Sequence, residues 1–186
     1  MANKMEIRIA GSGGQGVILA SIILAEAALM TGKNVAQTQS YGAEARGGMC
    51  KAEVVVSDEK IGFFKVRRPS FLLALTQQSL NQYTVDLPPS CIVMTDDSLD
   101  QPDWLSGKPV VRLPILRTAS EKVGRAFTAN IVAVGAINKL ISLASDEEMR
   151  QAVLKHIPAG TDKINLTALK MGEELAENAL PSAPGQ

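Results

Sequence analysis

The sequence predicts an α/β protein, a three-layer α/β/α sandwich built on a mostly parallel mixed sheet. Three observations carry that expectation. Strand-like apolar runs alternate with helical stretches along almost the whole chain. Three of the runs, at 71–75, 91–96 and 110–116, are continuously apolar and spaced about twenty residues apart, as buried parallel strands are. A glycine-rich stretch, AGSGGQGVILA at 10–20, joins a strand-like run to a helix-like run, the junction that an α/β sheet places at its carboxyl edge.

In chain order, MEIRIA alternates and runs into the glycines, so 4–10 is expected as the first strand and 14–31 as the first helix, with Gly32 as its stop. That helix is apolar on nearly every face, broken only by Ser21 and Glu26, and falls short of the roughly 20 residues that span a bilayer. It is expected as a buried helix, covered by the sheet on one side and by another helix or subunit on the other. VAQTQSYG (35–42) and MCKAEVVVSD (49–58) read as the second and third strands. KIGFFKV (60–66) is expected to return as an antiparallel hairpin partner, which would make the sheet mixed. Helices are expected at 77–83, 118–126, 130–143, 146–156 and 165–180. Ser145 and Glu148 form a capping-box pattern. Asn130 is expected to cap its helix, and Gly135 lies within that helix, where glycine costs roughly 1 kcal/mol relative to alanine, so close packing or a subunit contact must compensate. Residues 1–180 are expected to form one domain, with 181–186 as a flexible tail.

The 186 residues carry 19 basic and 19 acidic side chains, so no global field points to nucleic acid or an anionic membrane. Cys50 and Cys91 stand far apart without a CxxC spacing, as buried reduced thiols of a cytoplasmic protein do. The first residues lack the pattern of a signal peptide, which also points to the cytoplasm. His156 is the only histidine, which argues against a zinc site and against a hydrolase needing a histidine base.

Gly11, Gly13 and Gly16 fit G-x-G-x-x-G after a strand and before a helix, where free N–H groups and the helix dipole favour an anion. A dinucleotide site would also need an acid at the end of the second strand, and no acid appears there until Glu44. No Gly-Lys-Ser/Thr follows, so a P-loop is excluded. A structural reading stays open, in which Gly13, Gly14 and Gly16 let other atoms approach closely. A second glycine cluster, SYGAEARGG at 40–48, follows the second strand on the same edge and holds Tyr41, Glu44 and Arg46 among Gly42, Gly47 and Gly48.

With both clusters in view, the sequence resembles the gamma subunit, or gamma domain, of the 2-oxoacid:ferredoxin oxidoreductases, most of all that of the 2-oxoglutarate enzymes. The resemblance rests on GSGGQGV (11–17), QSYGAEARGG (39–48), VVVSDEKIG (54–62), LLAL (72–75), NIVAVGAI (130–137) and NLTALKMG (165–172), which follow one another over almost the whole chain. One position departs from the pattern: Ser70 stands where the family favours Asp.

The resemblance implies the fold of the gamma domain of pyruvate:ferredoxin oxidoreductase. It also implies a complex that decarboxylates a 2-oxo acid on thiamine diphosphate with Mg2+, reduces ferredoxin through iron–sulfur clusters and passes the acyl group to coenzyme A. The chain contains no Gly-Asp-Gly thiamine signature and too few cysteines for a [4Fe–4S] cluster. Thiamine-binding alpha and beta subunits and a ferredoxin-like delta subunit are therefore the implied partners, with no metal assigned to this chain.

Gly11, Gly13, Gly14, Gln15, Gly16 and Arg46 are the candidates for contact with coenzyme A or another anion. Arg46 is equally compatible with a structural turn. Tyr41, Gly42, Glu44, Gly47, Gly48, Asn130 and Gly135 are the candidates for shaping the site or meeting a partner subunit. Lys60, Lys65, Arg67 and Arg68 form a basic stretch, either a solvated face or a dock for an acidic neighbour. Two alternatives remain open: a subunit of a pyruvate, branched-chain or indolepyruvate enzyme, and a free-standing nucleotide-binding module.

Overall fold

A computed structural model describes residues 4–41 and 48–180. Its element order is β1 (Lys4–Ser12), α1 (Val17–Met30), β2 (Asn34–Tyr41), β3 (Met49–Ser57), β4 (Phe71–Ala74), α2 (Gln77–Tyr83), β5 (Ile92–Asp96), β6 (Val110–Leu113), α3 (Ile115–Arg117), α4 (Ala129–Ile141), α5 (Asp146–His156) and α6 (Asp162–Ala179). The six strands form one sheet in the order β2-β3-β1-β4-β5-β6. β1, β4, β5 and β6 are parallel, while β3 runs against both β1 and β2. The fold is the expected α/β class with a mixed, mostly parallel sheet.

Alternation along the strands assigns the two faces. Phe71 and Leu73 join the main core with Ile7, Ile9, Ala52 and Val54, under α1, α4, α5 and α6. Leu72 and Ala74 point the other way, into a smaller core with Leu80 of α2, Cys91, Val93 and Leu105. The helical layers are thus unequal: four long helices on one face, and the seven-residue α2 on the other.

α1 behaves as its composition requires. Ile23, Leu24, Ala27 and Ala28 are fully buried, and its single acid, Glu26, meets Lys155 of α5 at 2.5 Å and lies 3.6 Å from His156. Gly32 stops the helix in a left-handed conformation (φ +81°), its N–H donating to Leu29 O. The Ser145 capping box forms as expected, with Ser145 Oγ and Glu148 Oε2 each accepting the other's backbone N–H.

Four expectations are corrected. Residues 60–66 form no strand, because β3 is already paired on both sides and offers them no free edge. The antiparallel element of the sheet is β3 itself. The helix expected at 118–126 is replaced by α3, a single π turn at Thr118–Lys122 and a 3-10 turn at Ala126–Thr128. Pro114 starts this run immediately after β6, and Gly124 (φ +78°) ends it, leaving too few residues for a regular helix. Asn130 is not a cap, because α4 begins one residue earlier, after Thr128. β1 extends past the expected 4–10 to Ser12, where it still pairs with Met49, and α1 starts at Val17 rather than at 14.

Gly135 is explained by the crossing of α4 and α6. A Cβ there would collide with the Leu169 carbonyl, and a Cβ at Gly172 would collide with the Val132 carbonyl, so each helix needs a glycine opposite the other's backbone. Lys139 and Glu177 pair at 2.5 Å further along the same contact. Gly135→Ala and Gly172→Ala are each expected to lose about 1–3 kcal/mol through overpacking, where an exposed helix would gain about 1 kcal/mol from the same change. Thermal melts would show this as a fall of about 2–4 °C per kcal/mol, and an unchanged or raised midpoint would refute the packing account.

Candidate functional site

The site candidates converge on the carboxyl edge of the sheet because of strand direction. β1 and β2 end there, and β3, running the opposite way, starts there. The pairing Gly11↔Cys50 and Ser12↔Met49 brings Gly48, the last residue of the second glycine cluster, beside the first cluster. Gly13 N–H donates to Gly48 O at 2.9 Å, so the two clusters are joined directly through backbone.

The glycine loop is held from within. Gln15 folds back so that its Oε1 accepts from Ser12 N–H at 2.8 Å, and its Nε2 lies 3.4 Å from Leu75 O at the end of β4. A Cβ at Gly11 would lie 2.5 Å from Gln15 Oε1, so Gly11 makes room for that amide. Gly14 (φ +96°) and Gly16 (φ +73°) take left-handed conformations that other residues adopt at a cost. A Cβ at Gly16 would also strike the Asn130 side chain. Asn130 is buried; its Oδ1 accepts from Ile131 N–H at 3.0 Å, and its Nδ2 reaches Gly16 O at 3.5 Å.

α1 begins at Val17, after Gly16, with no side-chain cap and no acid in its first turn. The first N–H groups of a helix have no intrahelical acceptor, so this end presents free donors. Gly11, Gly13, Gly14, Gln15, Gly16, Gly48 and Asn130 are therefore brought together. The backbone of Tyr41 ends β2 beside them, pairing with Cys50. Gly42, Glu44, Arg46 and Gly47 lie outside the described residues. Gly135 sits in the α4–α6 crossing, away from the loop.

Two features of this edge were not singled out from the sequence. Asp96, at the end of β5, is 1% exposed, and its carboxylate accepts from Ser98 N–H and Oγ and from Leu116 N–H at 2.8 Å. It ties the β5 loop to α3, and the Asp-Asp-Ser that ends the strand is the signal that could have shown it. The run after β6 borders two cavities. One, of about 460 Å³, is lined by Asp97, Arg117 and Ser120; the other, of about 490 Å³, by Arg125, Phe127, Thr161 and Lys163.

Both cysteines are buried. Desolvation pushes the Cys91 thiol up to about 11 and raises that of Cys50 as well. Among the described residues no cluster of three or more His, Cys, Asp and Glu could hold a metal ion. The two thiols do not fit an iron–sulfur cluster, which needs several converging thiolates. No helix among the described residues is long and apolar enough to cross a membrane.

This fold and loop are those of one oxidoreductase class. Residues 6–175 match the family described as pyruvate ferredoxin/flavodoxin oxidoreductase, and the chain belongs to that family. It is 44% identical over 177 residues to 2-oxoglutarate synthase subunit KorC of Methanocaldococcus jannaschii, covering 94% of this chain and 95% of that one. The crystal structure of the keto/oxoacid ferredoxin oxidoreductase gamma subunit from Geobacter sulfurreducens superposes with a TM-score of 0.83 at 38% identity, covering 95% and 98% of the two chains. A 2-oxoglutarate:ferredoxin oxidoreductase from Magnetococcus marinus, with 2-oxoglutarate, coenzyme A and succinyl-CoA bound, shares the fold at 21% identity and a TM-score of 0.87. Its match covers 98% of this chain and 32% of that longer one.

Two outcomes test this geometry. Gly16→Ala is expected to destabilise by about 2–4 kcal/mol, from left-handed strain plus displacement of Asn130. Combined with Asn130→Ala, it should cost less than the sum of the two single changes in a denaturant double-mutant cycle. Native protein at pH 8 is expected to leave Cys50 and Cys91 unlabelled by iodoacetamide, read by intact mass, with labelling on unfolding. Fast native labelling would contradict the raised thiols.

Proposed function

We propose that this chain is the gamma subunit of a 2-oxoglutarate:ferredoxin oxidoreductase, which oxidatively decarboxylates 2-oxoglutarate to succinyl-CoA and reduces ferredoxin in the cytoplasm. The observation that carries the reading is the 44% identity to a KorC subunit, spread over nearly the full length of both chains. In this proposal the thiamine diphosphate and Mg2+ sit on alpha and beta subunits and the clusters on a ferredoxin-like delta subunit. The Magnetococcus marinus enzyme that shares the fold binds 2-oxoglutarate, coenzyme A and succinyl-CoA, which agrees with the same reaction.

The role proposed for this chain follows from its own groups. The uncapped first turn of α1, entered through Gly14 and Gly16, supplies N–H donors for a phosphate of coenzyme A. Gln15 and Asn130 hold that loop in shape, and Gly48 locks the second glycine segment to it. Arg46 is proposed as a further phosphate contact, with Tyr41, Gly42, Glu44 and Gly47 facing a partner subunit. Against a free-standing dinucleotide module stands the end of β2, Gln39-Ser40-Tyr41, which carries no acid for a ribose.

Anaerobic co-expression with the thiamine-binding and ferredoxin-like subunits tests the proposal. The expected result is a stable complex that reduces a viologen dye only when 2-oxoglutarate and coenzyme A are both present, with this chain inactive alone. A complex that prefers pyruvate, a branched-chain 2-oxo acid or indolepyruvate would replace the substrate but keep the family. A chain that stays apart and binds ADP or NAD by itself would overturn the proposal.

A further inference from the structure

The second face of the sheet is where the fold leaves an open position. On β1 and β3 the residues facing away from the main core include Glu6, Arg8, Lys51 and Glu53 beside the buried Ala10 and Val55, and the ring of Tyr83 of α2 lies 5.5 Å from the Arg8 guanidinium and 5.6 Å from the Lys51 ammonium. Glu53 accepts from Arg8 at 2.8 Å and forms an ion pair with Lys51 at 3.3 Å. Beside this pair a cleft of about 450 Å³ opens, lined by Thr38, Ser40, Lys51, Glu53, Phe64 and Lys65. No helix among the described residues covers it.

The irregular segment between β3 and β4 forms the wall of the cleft and is fixed in place. Val66 and Pro69 are buried, and the carboxylate of Glu6 accepts the N–H groups of both Arg67 and Arg68 at 2.9 Å. Burial alone would raise the Glu6 carboxyl, but Lys4 and these two amides outweigh it and hold it below the ordinary carboxylate range. Arg8 donates to Val66 O at 3.2 Å, and Ser70 N–H to Glu6 O at 2.8 Å. What this anchored segment shows to the outside is unusual for a chain with no net charge. Phe63 and Phe64 stack and are 42% and 54% exposed, and the Arg67 guanidinium lies 4.0 Å from the Phe63 ring centre.

Lys65, Arg67 and Arg68 make no ion pair among the described residues, and what distinguishes them from other unpaired cations such as Lys33 and Lys163 is that they stand within four residues of one another beside two exposed phenylalanines. Asp58 and Glu59 stand next to Lys60, so that end of the segment is neutralised and the cationic end is 65–68.

We propose that Phe63, Phe64, Lys65, Arg67 and Arg68, with the adjoining Lys51 cleft, form a docking surface for an acidic face of another subunit of the complex. Charge complementarity carries the choice of partner, because the side-chain cations of Lys65, Arg67 and Arg68 stand together on one anchored strap and pair with no acid among the described residues. Exposed aromatic rings beside arginine are the composition of interface anchors. A small ligand fits less well, because the cleft is floored by the Glu53 carboxylate and has one aromatic wall, whereas ligand pockets are mostly apolar. The partner would supply the cover that α2 does not extend far enough to give. This inference rests on the proposed function only in requiring that partner subunits exist.

The test uses the co-expressed complex. The charge-reversed variant K65E/R67E/R68E is compared with wild type and with K170E, a change on the exposed side of α6. The expected result is a reversed chain that folds, by circular dichroism and melting, yet binds its partners at least about tenfold more weakly. K170E should bind as wild type, and the wild-type affinity should fall as salt is raised from about 0.05 to 0.5 M. If the reversed chain does not fold, photocrosslinking from a benzoylphenylalanine at position 64 of the otherwise wild-type complex decides. Crosslinks to an acid-rich segment of a partner support the surface, and crosslinks elsewhere or none overturn it.

Wild type that assembles while the reversed chain assembles equally well overturns the docking surface and leaves the proposed function intact. Failure of wild type itself to assemble overturns both. Unchanged assembly with a raised requirement for coenzyme A would make the strap a small-anion site and overturn docking.

Discussion

The constraint on which the molecule turns is a helix with no polar side. α1 buries Val17, Ala20, Ile23, Leu24, Ala27 and Ala28 against the sheet and neighbouring helices, while Leu29 and Met30 at its end stay exposed. β1, β2 and β3 provide the floor, and α4 and α5 close the flanks. Its one acid is matched by the basic end of α5. With the helix packed on the sheet and flanked by α4 and α5, its N-terminus is placed by the core, and the glycine loop takes its shape from that placement together with the Gln15 and Asn130 contacts.

The same economy explains why the glycines matter in different ways. Gly16 exists because Asn130 comes close and because the chain must turn left-handed to enter α1. Gly135 and Gly172 exist because two helix backbones approach each other. Gly11 gives way to a glutamine amide. The left-handed pair, Gly14 and Gly16, shapes a surface that a ligand or partner could meet.

Much of the fold was legible because local and global preferences agree. α2 and α5 have their expected ends, since cap residues and apolar spacing mark the same boundaries. β3 is clear because its valines alternate between two covered faces. The failures share a physical cause. FFKV has strand-forming residues, but strand formation needs a free edge, and edges are decided by the whole sheet. The stretch after β6 is punctuated by Pro114 and Gly124, which break a helix into pieces that no periodicity count resolves. Of the candidate site, the common sheet edge of the first glycine loop and Gly48 was legible from their places at strand ends. The inward fold of Gln15 was not, because a glutamine in a glycine loop looks the same whether it faces a ligand or its own backbone.

The place of β3 bears on how the chain can be assembled during synthesis. β1, α1 and β2 emerge first, yet β2 never touches β1; a strand-wide gap of about 10 Å separates them in the finished sheet. Until residue 57 is available, both strands present unpaired inner edges, and the most apolar helix of the protein lies over an incomplete floor. β3 then closes both edges in one step, zipping to each neighbour along eight or nine residues. β3 thus joins the first two strands in a single insertion, and until it does they keep edges that another chain could pair with.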